Sequence, residues 1–507
     1  MKAKSIMIQG TASSVGKSII CAGLCRILKQ EGYLVSPFKS QNMALNSYVT
    51  RDGKEMGRAQ AVQAEAAGIE PAVEMNPILL KASAEMKMQV IVEGKVYANM
   101  SGYEYGTLKP MLEKIIKDVY RKLEQENDAI VIEGTGCPAE ININENDIVN
   151  MGMAEMADAP VILVGDINYG GVFASLVGTM LLLKESERVR VKGVIINKFR
   201  GDAEILKPGL KMLEDMIHVP VLGVVPYMDL DIDEEDSLSV RHNKTENNAR
   251  EGVLDVAVIE LGYMSNFTDF NIFERIPGTR LRFVKNVKQL GSPDLIIIPG
   301  SKSTMEDLAY IRNSGMEAAI KELNKKGTIV FGICGGYQML GREIQDPSHA
   351  EGYMGKMPGM GLLDAVTVFR DKKTTEQFSG QICGSAQLLS EIQGLVVNGY
   401  EIHMGVTDFA EGCKPFVMAD KEVNGDNPVK GIMNIEGTVF GTYIHGIFDN
   451  EEFITGFLNN IRKRKGLGEI SSKPDYKKFK ETQFDMLADV LRKSLDMEKI
   501  KMIMGLI

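Results

Sequence analysis

The sequence predicts an α/β protein built from two parallel-sheet domains. Its 507 residues are too many for one hydrophobic core, so the chain should divide into domains. Short, continuously apolar runs alternate with helical patterns in two separate series, and such runs are typical of strands covered by helices on both faces. A polar, charged stretch between the two series indicates the domain boundary.

The first series predicts a domain over residues 1–230. Each of its apolar runs leads into Gly, Asp or Asn, which favours strands that end where loops begin. These runs are "SIMIQG", "DAIVIEGTG", "APVILVGDI" and "VKGVIINKF".

The second series predicts a domain over residues 252–450, after a linker at residues 231–251 that is poor in large apolar side chains. Residues 451–507 have amphipathic helical patterns. We expect this tail to be helical and to dock on the second domain. The strands of the second domain are predicted at "VLDVAVIEL", "PDLIIIPGSKS", "TIVFGICGG" and "TVFGTYIHG".

Composition narrows the class of protein. A net charge of -10 and a pI near 5.3 argue against a nucleic-acid partner, which usually requires a basic surface. The sequence contains no apolar run long enough for a membrane span, so no membrane partner is expected. Six cysteines without metal-type spacing indicate a reducing, cytoplasmic location. Nothing in the sequence predicts the oligomeric state.

A phosphate-binding loop is predicted at "QGTASSVGKS", between the first strand and an apolar helix. Glycines let backbone N–H groups surround phosphate oxygens, and a helix N-terminus favours an anion. The loop contributes Gly10, Thr11, Gly16, Lys17 and Ser18 as ATP-binding residues. Lys17 should reach the terminal phosphates, and the Ser18 hydroxyl should bind Mg²⁺. One more residue separates Gly10 from Gly16 than in the usual pattern, a variant that resembles dethiobiotin synthetase and related ATPases.

Three further strand ends fit a nucleotide site. Glu133 in "VIEGTG" and Asp166 in "VILVGD" are carboxylates that can hold Mg²⁺. Asn197 in "IINKFRGD" can read an adenine edge through its amide. Each also has an ordinary alternative, namely a helix cap, a solvated loop acid or a turn residue.

A cysteine nucleophile is predicted at Cys334 in "GTIVFGICGGYQMLG", where a strand runs into glycines and then a helix. A bend of this kind lifts a nucleophile out of the sheet; the alternative is a buried structural cysteine. A thiol nucleophile needs a base. His445 and His403 both end strands of the second domain, and we favour His445 because it lies beyond the later strand. His403 is then structural or contacts substrate.

The segments "GICGGYQMLG" and "GTYIHG" resemble the nucleophile and histidine motifs of triad-type glutamine amidotransferases. The resemblance implies that Cys334 attacks the carboxamide of L-glutamine and releases ammonia, with His445 as the base. It also implies an oxyanion site at backbone N–H groups near Gly300 and Gly335. The family's usual orienting glutamate is absent after His445, and Asp449 or a backbone carbonyl could replace it.

Over nearly its whole length the sequence resembles the cobyric acid synthase family of corrinoid amidotransferases. The resemblance implies ATP- and glutamine-dependent amidation of peripheral carboxylates of an adenosylated corrinoid, with ATP and Mg²⁺ as cofactors. Polar residues near strand ends could line the corrinoid pocket or serve as ordinary loop residues: Lys39, Asn42, Asn46, Glu140 and Asp147. The segments that carry the resemblance include "PFKSQNMALNSYVT", "EMGRAQAVQAEAA", "DIVNMGMAEMADAPVILVGDI", "GYEIHMG" and "GTYIHGIF".

Three alternatives stay open. One is amidation of a cell-wall precursor, although there the glutaminase and the synthetase usually lie on separate chains. A cobyrinic acid a,c-diamide synthase would perform the same chemistry on an earlier corrinoid. A partition-type ATPase with an inactive glutaminase-like module would belong to another class of protein, and the intact Cys–His pair argues against it.

Overall fold

The computed structural model describes residues 2–83, 87–142, 146–233, 252–351, 354–420, 427–470 and 475–507. All but the first three positions of the predicted linker, residues 231–251, therefore lie outside the described residues. A parallel sheet is present on either side of that segment, which confirms the predicted α/β class. No helix in the described part of the chain is long and apolar enough to cross a membrane.

The first domain is organised around a 6-stranded sheet with the strand order β12–β11–β10–β1–β9–β2. All five pairs are parallel, so the carboxyl ends of the strands share one edge. The strands of this domain are β1 (Lys4–Gly10), β2 (Val35–Phe38), β3 (Gln41–Met43), β4 (Ser47–Val49), β5 (Glu55–Gly57), β6 (Ile78–Ala82), β7 (Lys87–Val92), β8 (Lys95–Ser101), β9 (Ala129–Glu133), β10 (Val161–Asp166), β11 (Val191–Phe199) and β12 (Val221–Pro226).

Helices cover both faces of this sheet, and two short sheets, β3–β6–β7–β8 and β4–β5, extend from it. The helix that begins at Gly102 shows how the sequence sets an end: the Ser101 hydroxyl accepts from the Glu104 N–H, and the Glu104 carboxylate accepts from the Ser101 N–H. The helices are α1 (Lys17–Gln30), α2 (Arg58–Ala67), α3 (Gly102–Glu126), α4 (Met151–Met156), α5 (Val172–Leu182), α6 (Glu185–Arg188) and α7 (Ala203–Ile217).

The second domain has a 12-stranded mixed sheet whose parallel part runs β15–β13–β16–β18–β25. Antiparallel strands continue it, and β21 and β22 form a long hairpin. Its strands are β13 (Leu254–Ile259), β14 (Met264–Ser265), β15 (Thr279–Val284), β16 (Leu295–Ile298), β17 (Gly300–Ser301), β18 (Ile329–Ile333), β19 (Glu343–Gln345), β20 (Lys356–Pro358), β21 (Ala365–Ile382), β22 (Val396–Phe409), β23 (Cys413–Ala419), β24 (Val429–Asn434), β25 (Val439–Thr442) and β26 (Ile444–His445).

Short helices and 3₁₀ segments connect these strands. A 3₁₀ segment at Phe267–Arg275 follows β14 and packs its aromatic side chains into the core of the second domain. The helices of this domain are α8 (Val287–Leu290), α9 (Thr304–Asn313), α10 (Met316–Lys325) and α11 (Gly335–Leu340).

The tail contains the expected helices, α12 (Glu451–Arg464), α13 (Tyr476–Ser494) and α14 (Met497–Met504). Among the described tail residues, α12 packs into the core of the second domain, and Tyr476 at the start of α13 packs against the same core. The apolar side chains of α13 and α14 pack with α1 and the sheet of the first domain, and Arg26 of α1 forms an ion pair of 2.7 Å with Asp485. The expectation that the tail docks on the second domain is therefore wrong for α14 and for α13 beyond its first turn, where Tyr476 and Phe479 still contact Arg275 of the second domain.

Candidate nucleotide and glutaminase sites

The predicted phosphate loop lies between β1 and α1 at the carboxyl edge of the first sheet. Gly16 has φ 98°, in the left-handed region that favours glycine, and it directly precedes α1. A Cβ atom added at Gly10 would lie 3.0 Å from the Lys17 ammonium, so the absent side chain keeps the loop close to that charge. Lys17 Nζ donates to the carbonyls of Ala12, at 2.9 Å, and Gly136, at 3.1 Å. The Thr11 N–H donates to the Val164 carbonyl of β10.

Glu133, at the end of β9, is a buried carboxylate that contacts Ser18 at the end of this loop. The Ser18 hydroxyl donates to its Oε1 at 2.9 Å, and Lys39 Nζ lies 2.9 Å from the same atom. Gln60 and Gln63 donate to Oε2. Burial acts to raise the pKa of Glu133, but the charge of Lys39 and the hydrogen bonds from Lys39 and Gln63 hold it below its usual range.

These residues fit a magnesium ion bound with a nucleotide. Mg²⁺ is usually held by one or two carboxylates together with substrate phosphates. Ser18 and Glu133 supply a hydroxyl and a carboxylate in direct contact beside the phosphate loop. Within the described ranges, no group of three or more His, Cys, Asp or Glu side chains could hold a metal by itself. Phosphate oxygens and water would supply the remaining ligands of a magnesium ion here.

Asp166 and Asn197 lie opposite each other in β10 and β11. Asp166 forms an ion pair of 2.9 Å with Lys198, whose ammonium also donates to the Ser14 carbonyl in the phosphate loop. The Asn197 amide donates to the Val15 carbonyl at 2.8 Å, and its side chain is buried. Asn197 thus braces the phosphate loop, and adenine recognition by Asn197 stays a prediction.

The five residues predicted to line the corrinoid pocket differ in burial and in their contacts. Lys39 and Asn42 are buried, the first against Glu133 and the second against Gln60, to which its amide donates at 3.0 Å. Asn46 lies in the interface between the domains, where its Oδ1 atom accepts from the Phe267 N–H at 3.2 Å. This placement does not support substrate contact by Asn46.

The other two predicted pocket residues lie in the loop after β9. Asp147 caps its own turn by accepting from the N–H groups of Val149, at 2.8 Å, and Gly152, at 2.9 Å. Glu140 has an exposed side chain next to Gly136, the residue whose carbonyl accepts from Lys17. Of the five, Glu140 is the residue that this arrangement leaves open to a bound molecule beside the phosphate loop.

Cys334 lies at the bend between β18 and α11. Its φ of 49° and ψ of -107° are unfavourable for a residue with a side chain, and such strain costs about 1–3 kcal/mol and is concentrated at functional sites. The thiol is 7% exposed, and its Sγ atom lies 3.5 Å from the Ile402 carbonyl. A Cβ atom at Gly335 would lie 2.7 Å from the Ser301 backbone N, so glycine is required for this close approach.

His445 is fully buried and has a carboxylate partner, Asp269, that the sequence did not reveal. The Nδ1–H group of His445 donates to Asp269 Oδ2 at 2.7 Å, because an ionised carboxylate can only accept. The other Asp269 oxygen accepts from the Gly446 N–H at 3.2 Å. This geometry leaves Nε2 as the nitrogen that can exchange a proton with the thiol. Asp269, rather than Asp449 or a backbone carbonyl, is the group that accepts from the imidazole Nδ1.

Charge at this site favours the protonated imidazole. Burial alone would lower the pKa of His445, but the charge and hydrogen bond of Asp269, followed by those of Cys334, raise it to about 10. Burial and the charge of Asp269 raise the pKa of Asp449 to about 7. A Cβ atom at Gly300 would lie 3.3 Å from His445 Cε1, so Gly300 lies against the imidazole ring.

His403 lies next to the cavity at the thiol and also makes contacts within the second domain, so both predicted roles, structural and substrate-contacting, stay predictions. Its Nδ1–H group donates to the Gly405 carbonyl at 2.7 Å, and its ring stacks on Tyr443 with 3.7 Å between centroids. It follows Ile402, whose carbonyl lies next to the thiol. His349 lies in a surface loop, and His242 lies outside the described residues.

A cavity beside the thiol is lined by both domains. The second domain contributes Cys334, Lys302 and Glu351, and the first domain contributes Lys81 and Gln89. Burial raises the pKa of Glu351 to about 7, although Lys302 acts against this shift. The cavity also reaches Lys373 of the β21–β22 hairpin, which forms a buried ion pair of 2.5 Å with Glu55 of β5.

Comparison with known proteins gives two matching domain families and a set of full-length relatives. An AAA domain matches residues 4–235, and a CobB/CobQ-like glutamine amidotransferase domain matches residues 255–453. A cobyric acid synthase of Thermoanaerobacter sp. (strain X514) is 53% identical over 99% of both chains. That of Alkaliphilus metalliredigens (strain QYMF) is 52% identical over 97% of this chain and 98% of the relative. One from Clostridium botulinum (strain Loch Maree / Type A3) is 53% identical over 99% of both.

Proposed function

Because this chain belongs to the cobyric acid synthase family, we propose that it amidates the peripheral carboxylates b, d, e and g of adenosylcobyrinic acid a,c-diamide to give adenosylcobyric acid. As a member of that family it is a glutamine-hydrolysing, ATP-dependent amidating ligase of cobalamin synthesis. One observation supports the proposal above all. A phosphate loop and a thiol–imidazole–carboxylate set occur in one chain, and the cavity at the thiol is lined by both domains.

In the second domain, we assign Cys334 as the nucleophile that attacks the carboxamide carbon of L-glutamine. His445 accepts the thiol proton at Nε2 and returns it to the departing nitrogen, so ammonia leaves and a glutamyl thioester forms. Water then hydrolyses the thioester to glutamate. Asp269 holds Nδ1 and stabilises the imidazolium. Backbone N–H groups near Gly300 and Gly335 would hold the oxyanion, and such a donor contributes about 3–4 kcal/mol to the transition state.

In the first domain, a substrate carboxylate takes the terminal phosphoryl group of ATP, giving an acyl phosphate and ADP. Ammonia then displaces phosphate from the acyl group, and an amide forms. Lys17 stabilises the charge on the transferring group, and the backbone from Gly10 and Thr11 to Gly16 surrounds the phosphates. Mg²⁺, when bound, neutralises charge on the phosphate oxygens. Ser18 and Glu133 would hold it, and Asp166, whose carboxylate pairs with Lys198, would take part from β10.

The test is mass spectrometry of corrinoid products made by the purified enzyme. Wild-type protein receives ATP, Mg²⁺, glutamine and either adenosylcobyrinic acid a,c-diamide or cobyrinic acid. We expect successive amidations of the a,c-diamide, up to a product that carries four new amides. Amidation of cobyrinic acid alone would assign the chain to the earlier step. ATP hydrolysis without amidation of either corrinoid would refute an amidating function.

A further inference from the structure

One segment of the first domain runs from the nucleotide site to the glutaminase site. At its start, Lys39 Nζ contacts Glu133 at 2.9 Å. The segment then forms β3 and β4, and at Asn46 and Ser47 it contacts the second domain. Lys39, which contacts the proposed magnesium ligand Glu133, is therefore eight positions from Ser47 at the domain interface.

Two reciprocal hydrogen bonds join this segment to the start of the Phe267–Arg275 segment. Asn46 Oδ1 accepts from the Phe267 N–H at 3.2 Å, and Asn266 Oδ1 accepts from the Ser47 N–H at 3.0 Å. Both asparagine side chains are buried, with exposures of 3% and 2%. Breaking either bond would leave a buried polar group without that partner, which is costly because water replaces such a partner less easily than at an exposed site.

These bonds lie next to the carboxylate of the proposed triad. Asn266 has φ 53°, a left-handed conformation that turns the chain into the 3₁₀ segment. The Asp269 N–H donates to the Asn266 carbonyl at 3.1 Å, so the conformation of Asn266 sets the position of Asp269. Asp269 in turn accepts from His445 Nδ1.

A second contact from Ser47 reaches the ring that stacks on the imidazole. The Tyr400 hydroxyl donates to the Ser47 carbonyl at 3.2 Å, and the Tyr400 ring stacks on His445 with 5.3 Å between centroids and 20° between planes. The Ser47 N–H thus donates to Asn266, in the segment that leads to Asp269, and the Ser47 carbonyl accepts from Tyr400, whose ring stacks on His445.

We propose that Asn46 and Ser47 of the first domain are positioning residues for the glutaminase triad, and that they set the reactive geometry of Cys334 and His445 through Asn266, Asp269 and Tyr400. The inference rests on the proposed role of Cys334. Under this proposal, the glutaminase reaches its full rate only when the first domain contacts the second through these bonds. A displacement of a catalytic group by about 1 Å can cost up to a hundredfold in rate, so loss of these bonds should slow the thiol chemistry.

The test uses the full-length chain with two variants that cut the junction from opposite sides. Asn46→Leu keeps the side-chain volume close to the original and cannot accept a hydrogen bond. Asn266→Gly keeps the left-handed backbone and removes the acceptor for the Ser47 N–H. The matched control is Gln377→Leu, because Gln377 also donates across the interface, to the Val49 carbonyl of β4, and not to Asn266, Asp269 or His445. Gln377 lies opposite Tyr400 in the hairpin, and the substitution leaves the backbone pairing of these two residues in place.

Three quantities are measured for each variant. They are the rate of glutamate release, the rate at which saturating 6-diazo-5-oxo-norleucine labels the thiol by intact mass, and amidation driven by ammonium salt. For both junction variants we expect glutaminase kcat and the labelling rate to fall by about tenfold to a hundredfold. KM should change little for Asn46→Leu, and ammonium-driven amidation should be unchanged. Gln377→Leu should match wild type throughout.

Each other outcome has a definite meaning. Wild-type labelling and kcat in both variants would overturn the positioning role. Equal losses of glutamine- and ammonium-driven amidation would also overturn it, because they indicate a general structural effect. If one variant fails to fold in a thermal scan, the other decides. Labelling of the Cys334→Ser variant at the wild-type rate would instead refute Cys334 as the nucleophile.

Discussion

The phosphate loop and the nucleophile bend use the same local geometry but are supported by different parts of the chain. Each lies where a parallel strand ends and a helix begins, and each needs glycine for a close backbone approach. The phosphate loop takes its partners, Glu133 and Asn197, from strands of its own sheet. The nucleophile bend depends on His445 from β26 and on Asp269 from a 3₁₀ segment that the first domain contacts. The contacts of the phosphate loop thus come from its own domain, whereas the nucleophile site has its thiol, imidazole and carboxylate in the second domain and is also contacted by the first.

The largest effect is expected for Lys17→Ala. Losing the ammonium at the phosphate loop should reduce amidation by about a hundredfold to a thousandfold with both glutamine and ammonium salt, since phosphoryl transfer loses its charge stabilisation. Product formation by mass spectrometry with each nitrogen donor is the measurement. Lys29→Ala, on the same helix, is the control. Normal ammonium-driven turnover in Lys17→Ala would show that this loop is not the ATP site.

Cys334→Ser should separate the two sites. Glutamine-driven amidation should be lost, while ammonium-driven amidation should continue, because the thiol acts only in releasing ammonia. The same assay with both donors measures this, with Cys383→Ser as a control at a second-domain cysteine outside the site. Loss of both activities in a folded Cys334→Ser protein would contradict a division into two sites.

Asp269→Asn should reduce glutaminase activity by about a hundredfold or more, since the imidazole loses the group that fixes its tautomer and stabilises its charge. Asp449→Asn is the matched control and should have a small effect, because Asp269 and not Asp449 accepts from Nδ1. Glutamate release measures both variants. A larger loss in Asp449→Asn would reverse the assignment.

The ion pair of His445 and Asp269 predicts a pH dependence of stability. The pKa of His445 is raised from 6.5 to about 10. The contribution of the charged imidazole to the stability of the fold is therefore fully present below pH 6.5 and is lost as the pH rises through about 10. The difference in Tm between wild type and Asp269→Asn should therefore be largest at pH 6 and should shrink towards pH 10. A difference that grows with pH would contradict a charged His445.

The smallest effect is expected for Glu351→Gln. Burial raises the pKa of Glu351 from 4.5 to about 7, so wild type loses stability as the pH rises through that range, whereas the glutamine variant does not. The variant should have a Tm higher by about 2–4 °C at pH 8, the shift that about 1 kcal/mol produces in a domain of this size. At pH 4 the two proteins should unfold alike, and a lower Tm for the variant at pH 8 would refute a destabilising charge at Glu351.

The comparison also explains what the sequence could predict. The strands, the phosphate loop and the nucleophile bend carry local patterns of glycine and apolar residues, so each was identified from adjacent positions. Asp269 lies 176 positions from His445, and no local motif connects the two. Its one signal is an acidic residue among aromatic neighbours in "FTDFNIF", where burial requires a partner for the charge.

The same limit applies to contacts between domains. Asn46 was interpreted as a pocket residue because it is polar and near strand ends, but its partner is a backbone N–H of the second domain. The apolar stripes of α13 and α14 predicted helices and left the packing partner undefined, and that partner is the first domain. A periodic pattern indicates that a surface is buried without identifying what covers it.

The central claim is that one chain couples glutamine hydrolysis in the second domain to ATP-dependent amidation in the first. The most direct measurement quantifies glutamate, ADP and corrinoid amide in one reaction of the wild-type enzyme with adenosylcobyrinic acid a,c-diamide. We predict equal amounts of the three products, with glutamate production falling sharply when Asn46→Leu weakens the junction between the domains. Amide formation without matching glutamate and ADP, or glutamate release indifferent to that junction, would contradict the account.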